Sequence, residues 1–363
     1  GGGIDTAAMV RAIISQESGG DINPPRALDC GLMQVSVTKS NPSLYASACG
    51  ITPASKANEC SFYTNPTNVV KSICIGTKIM IAAHMDEIGL MVKNMEKDGK
   101  LRIAEVGSIN PVVLLNEKVI VKTRKADVKG VVTTENLSSS IDLAGKVNIQ
   151  DMFIDTGLSK KELEQLGVHI GSFVSLSPNA DIIGNGKIIS GKALDDRIGC
   201  YILIEIIKRL KNIKNEMFFV FTVQEEVGLY GAKTSSYLID PDMAIAVDVT
   251  DCDDMLQHGS KTLGGGPTIT IKDAEMISNP CIDDKILAIA KKKKIPIQPD
   301  VSDSGTTDAI NISISKGGVP SAVLGVPVRG LHSSSGLASL NDIDNAIKLL
   351  IELLKDPPNV CAT

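Results

Sequence analysis

The stretch KIMIAAHMD, Lys78 to Asp86, joins a fold signal to a chemical one. An apolar run of strand length ends on His84, and Asp86 follows two residues later. Such an apolar run reads as a β-strand, here of an α/β sheet. In such sheets the carboxyl ends of the strands gather at one edge, where ligands bind. Four further segments repeat the arrangement. Asp195-Asp196-Arg197 follows KIISGKAL, Glu225-Glu226 follows MFFVFTVQ, Asp248 follows MAIAV, and His332 follows SAVLGVPVRGL. The chain has 4 histidines, and two of them fall in these segments.

These residue types suit a pair of divalent ions. Zinc, cobalt and manganese take imidazole and carboxylate ligands, and two ions about 3.5–4 Å apart can clamp a water and a substrate carbonyl. Three carboxylates, Asp195, Glu226 and Asp248, leave about one positive charge, which a bridging hydroxide cancels. His84 and His332 give one imidazole to each ion. Adjacent residues on an extended segment point to opposite sides, so Glu225 and Glu226 divide the work between general base and ligand. Asp86 lies on the same face as His84 and can orient its ring. Taken singly, each segment has a plainer reading: a surface pair, an acidic helix start, a solvated turn, an acidic loop with Asp251, Asp253 and Asp254. Taken jointly and in this order, the plain readings lose.

HMDEIGLMV, GKALDDRIG, VQEEVGLYGA, AVDVT, GGGP, SDSGTTDA and LHS, in this order over residues 77–355, resemble the M42 family of metallo-aminopeptidases. That resemblance implies Asp195 as the bridging ligand, His84 and Asp248 on one metal, and Glu226 and His332 on the other. It makes Glu225 the general base and places Asp308 near the site. The implied reaction is hydrolysis of N-terminal residues from peptides through a metal-bridging hydroxide. The implied assembly is a homo-oligomer built from dimers, up to a dodecamer. The expected fold is an α/β metallopeptidase sheet with helices on both faces, formed by 77–88 and 190–355. A small β-rich dimerisation domain, 89–189, is inserted in it. Short alternating strands such as KVIVKT and SFVSLSP mark that insert, and LSKKELEQLGV reads as a helix capped by Ser159 with Glu162 three residues on. DIDNAIKLLIELLKD reads as an amphipathic helix with a leading Asp cap.

Residues 1–76 read differently. AMVRAIISQESGGDINPPRALDCGLMQV resembles the start of a lytic transglycosylase, a helical lysozyme-like fold. The resemblance implies Glu17 as a catalytic acid, with Ser18, Gly31 and Gln34 around a glycan cleft; such an acid needs an apolar setting, which MVRAIIS supplies. The two resemblances meet near Ile75–Ile81 without a flexible linker, as in a fusion of two fragments. The N-terminal piece then either completes the sheet in a new way or leaves it short of an edge. After His332, SSSGLASLND departs from the family's more polar stretch. Alternative functions are therefore a peptidoglycan lytic transglycosylase using Glu17, and an inactive fusion retaining only assembly surfaces.

Composition sets outer limits. The 363 residues allow two or three domains. A net charge of -5 argues against nucleic acid as a partner, and the apolar runs are too short for a membrane span. Lys291–Lys294 read as a solvated helix face. With 3% aromatic residues and no Trp, platforms for stacking sugars are scarce. Cys30, Cys49, Cys60 and Cys74 would suit two disulfides in a secreted domain. Cys200, Cys252, Cys281 and Cys361, scattered and without a CxxC, suit a reducing cytoplasm, the expected location.

Overall fold

The computed structural model describes residues 33–37, 77–135, 147–211, 213–256, 259–358 and 361. They fall into two compact units. One comprises Asp86–Arg197 and Val328–Leu340; the other takes in 33–37, 77–85, Ile198–Pro327 and the chain from Asn341 onward.

Strands β1 (Met33–Val37) and β2 (Lys78–His84) come first in the chain. In β2, Ile79 and Ile81 alternate with Met80 and Ala82, and all four are fully buried. Both faces of the strand are covered, which is why the run is continuously apolar.

The first unit holds a closed barrel. Strands β3 (Gly89–Met95), β4 (Leu101–Val106), β5 (Lys118–Val121), β6 (Val128–Thr134), β7 (Met152–Asp155) and β8 (Phe173–Leu176) close in the order β3-β4-β7-β6-β5-β8. Its neighbouring strands pair antiparallel all the way round, and residues such as Leu90, Leu101, Ile103, Val119, Ile154 and Val174 fill its core. Helix α1 (Lys160–Gln165) lies between β7 and β8 and starts with a capping box: Ser159 accepts from the Glu162 N–H, and the Glu162 carboxylate accepts from the Ser159 N–H. Strands β9 (Ala180–Ile183) and β10 (Ile188–Gly191) form a hairpin outside the barrel. The same compact unit takes in that hairpin and the segment around His332.

Helix α2 (Leu194–Arg209) leads into the second unit, followed by β11 (Glu216–Thr222), α3 (Tyr230–Ile239), β12 (Met243–Asp251) and β13 (Thr268–Lys272). Then come α4 (Pro280–Lys293), β14 (Gln298–Val301), α5 (Asp308–Ser313), β15 (Ser321–Arg329), β16 (Gly336–Ser339) and α6 (Leu340–Lys355). The sheet order is β1-β11-β2-β12-β15, with β13 and then β14 continuing from β15. Strand β2 runs parallel to both β11 and β12. The last residues of β15, Val328 and Arg329, pair with β16, which pairs in turn with β10. Met80, Ala82, Val220, Ala232, Ala244 and Ile312 form one apolar cluster between sheet and helices.

The α6 stripe Ile343, Ala346, Ile347, Leu350, Leu353 and Leu354 is buried. Asp342 does not cap the helix; it sits in the first turn and accepts from the N–H groups of Gly264 (2.7 Å) and Gly266 (2.9 Å). Lys291–Lys293 close the last turn of α4 and are exposed together with Lys294, where positive charge suits the helix dipole.

The lysozyme-like helices expected over 1–76, and Glu17 with Ser18 and Gly31, lie outside the described residues. The described stretch of that segment, which contains Gln34, is not helical. It is β1, and it pairs antiparallel with β11 from Met33↔Phe221 to Val37↔Met217. Cys281 is disulfide-bonded to Cys361, so the cysteines scattered through the later chain are not all thiols. Among the described residues no helix is long and apolar enough to cross a membrane.

Candidate metal centre

His84 ends β2. In the parallel ladder Thr222 of β11 lies opposite it, and the β12 register, Ala246↔Ala82, extended by two residues brings Asp248 level with it. His84 and Asp248 are both buried, and His84 Nε2 is 3.7 Å from Asp248 Oδ1. Glu225 completes a triad: one ligand atom from each of His84, Glu225 and Asp248 lies within 4.8 Å of the others. Two carboxylates and an imidazole therefore converge where β2 and β11 end, with Asp248 coming from within the neighbouring β12.

The turn carrying Glu225 and Glu226 is pinned by its backbone. The Glu225 carbonyl accepts from Gly228 N–H (3.1 Å) and Leu229 N–H (3.0 Å), and Val223 carbonyl from Gly231 N–H (3.0 Å). A Cβ on Gly231 would stand 2.5 Å from the Val223 carbonyl oxygen, so the close approach of α3 to the turn needs glycine there. Gln224 has φ 59°, the left-handed region that non-glycine residues seldom occupy. Glu226, two residues further on, is half-buried on the same turn.

Asp195 and His332 meet in the first unit, with His332 Nε2 3.2 Å from Asp195 Oδ2. Asp195 and Asp196 start α2 with non-helical backbone angles, and the peptide between them is cis. His332, at φ 55°, also sits in the left-handed region, just beyond β15. Asp86 is half-buried on the segment leaving β2.

Several supporting groups were not visible as such in the sequence. Thr222 is fully buried, its hydroxyl donates to Asp308 Oδ2, and its carbonyl accepts from Met85 N–H at 2.8 Å. Asp308 thus braces the strand end beside His84 from the start of α5, a role the GTTDA motif did not reveal. The Cys200 thiol donates to the His84 carbonyl at 3.1 Å. Nothing in the sequence separates such a Thr or Cys from ordinary core residues.

The donor sets fit divalent ions. Ligand atoms sharing one ion at bonds near 2.1 Å stand about 3–3.5 Å apart. The 3.2 Å and 3.7 Å separations are close to that spacing, and the longer one exceeds a hydrogen bond. Imidazole with carboxylate is the chemistry of zinc, cobalt and manganese sites.

Imidazole and carboxylates gathered at the strand ends of such a sheet suit metal-assisted hydrolysis. Residues 68–349 match the model of the M42 glutamyl aminopeptidase family, and the chain belongs to that family. It is similar to the lysyl aminopeptidase of Pyrococcus furiosus, 37% identical over 77% of this chain and 82% of that protein. It also resembles a TET aminopeptidase from the marine sediment archaeon Thaumarchaeota archaeon SCGC AB-539-E09. There the TM-score is 0.75 at 36% identity, covering 78% of this chain and 82% of that one. A third likeness is to the Pyrococcus horikoshii TET1 peptidase, described as able to assemble into a tetrahedron or a large octahedral shell. Its TM-score is 0.70 at 35% identity, covering 77% and 84% of the two chains. The protein is an M42-type aminopeptidase, a hydrolase.

Proposed function

We propose that the protein removes N-terminal residues from peptides, and that His84, Asp195, Glu226, Asp248 and His332 would hold a pair of divalent ions. The observation that carries this reading is the paired constellation: His84 with Glu225 and Asp248, and Asp195 with His332. When bound, two divalent ions, zinc or cobalt in preference to manganese, acidify a water and polarise the scissile carbonyl.

The chain's own groups do the rest. The Glu225 carboxylate takes the proton of the attacking water and returns it to the nitrogen of the leaving amine, so one group serves as base and then acid. Buried His84 is held by its strand neighbours, while Thr222, Asp308 and the Cys200 thiol fix the backbone around it. Asp86 orients the imidazole from the segment that follows. The free α-amino group of the substrate is drawn to this acidic environment, which favours cleavage at the chain end.

The protein works as a homo-oligomer on this reading, with the barrel as the dimerisation element. The described assembly of the P. horikoshii relative supports that expectation. Elemental analysis of purified protein together with aminoacyl-p-nitroanilide turnover tests the centre. About two ions per chain, activity lost to a chelator and activity restored by cobalt or zinc are expected. Chelator-insensitive turnover by metal-free protein overturns it.

A further inference from the structure

The first unit contains an open pocket of about 380 Å³ lined by Glu105, Ser108, Ile109, Asn110, Leu331 and His332. Its size falls in the range of small-ligand sites, roughly 300–1,000 Å³. One wall is His332, whose Nε2 lies 3.2 Å from Asp195 Oδ2, so the pocket opens directly beside two of the proposed metal ligands. The opposite chemistry comes from Glu105. Strand alternation sets Glu105 on the side of Leu101 and Ile103, which are buried in the barrel core. At the end of β4 that inward row reaches the rim, and there an exposed carboxylate replaces the apolar side chains.

The cations at the start of β4 are engaged elsewhere. Arg102 pairs with Glu96 and Glu135, and Lys100 with Asp98 and Glu135. Glu105 makes no ion pair among the described residues. Ile109 and Leu331 supply apolar wall, which suits the methylene stem of a long side chain whose charged end stays solvated. An unneutralised carboxylate in a pocket attracts an ammonium or guanidinium and repels another carboxylate.

We propose that this pocket receives the first side chain of the substrate and that Glu105 selects a basic one, lysyl or arginyl. The proposal rests on the peptidase reading above and adds a specificity-determining residue to it. With the metal-loaded protein, kcat/KM for lysyl- and arginyl-p-nitroanilide should exceed that for leucyl by about tenfold or more, and glutamyl should be poorest. Glu105→Gln should cut the lysyl-to-leucyl ratio by about tenfold, chiefly through KM. Glu105→Lys should move glutamyl ahead of lysyl. The lysyl advantage should shrink as salt rises. A leucyl preference equal to or above lysyl, or a ratio that Glu105→Gln leaves unmoved, overturns the proposal while leaving the peptidase reading intact.

If no aminoacyl substrate turns over, the peptidase reading fails, and the pocket is judged by binding alone. Free L-lysine raising the melting temperature more than L-norleucine, in the unmodified protein but not in Glu105→Gln, supports the assignment. Equal effects of the two amino acids overturn it.

Discussion

Neighbouring carboxylates Glu225 and Glu226 illustrate how much a single position decides. Glu225→Gln keeps the shape of the turn and removes the carboxylate proposed as proton acceptor. It should retain metal while turnover falls by about 10²–10⁴-fold, the usual size of a general-base contribution; comparing metal content with kcat checks it, and undiminished kcat would take Glu225 out of the role. A second residue yields a pH prediction. Burial pushes the Asp283 carboxyl up to about 6, with the Asp284 charge adding to it and the Ser278 hydroxyl opposing it. A carboxyl raised in the folded state takes up protons on folding. Its cost is therefore absent below pH 3.8, grows as pH rises towards about 6, and is complete above that. Asp283→Asn, which can still accept from Ser278, should stabilise by about 2–3 kcal/mol at pH 7.5 and by nothing near pH 3.5, as read by denaturant melts at both values. Ligand-type residues were legible in the sequence because metal chemistry admits few side chains. Thr222 and Cys200 were not, since a hydroxyl or thiol in an apolar run becomes meaningful only once its partner is known.

Among the elements, α1 and α6 could be read from local rules. The Ser159-Glu162 spacing specifies a cap whatever surrounds it, and the 3.6-residue stripe of α6 specifies a buried face. Strand β1 could not be read the same way. MQVSV alternates with period two, but its neighbours carry helical patterns, and only the exposed edge of β11 decides in favour of a strand. The role of Asp342 was equally hidden, because its partners are main-chain N–H groups more than seventy residues earlier in the chain. Asp342→Ala would leave the buried Gly266 N–H, and that of Gly264, without acceptors. A loss of about 2–4 kcal/mol is expected, measurable as a lower denaturation midpoint. A change under about 0.5 kcal/mol, the usual range for surface sites, would show that the GGGP loop is held by other contacts.

For the molecule as a whole, metal binding and folding are linked. Ions that bind only the native state stabilise it by mass action, about 2.7 kcal/mol at a hundredfold excess over Kd. Chelation should therefore lower the melting temperature by several degrees, and zinc or cobalt should restore it; an unchanged melt after verified metal removal would contradict a centre built from these buried groups. The Cys281–Cys361 bond has a practical result of its own. A protease that nicks the chain once anywhere between those two positions produces fragments that still travel as a single band on a denaturing gel, and they part only when thiol reagent is added. A preparation judged intact without reductant can therefore already be cut, and where the nick falls before His332 that residue and His84 lie on different pieces.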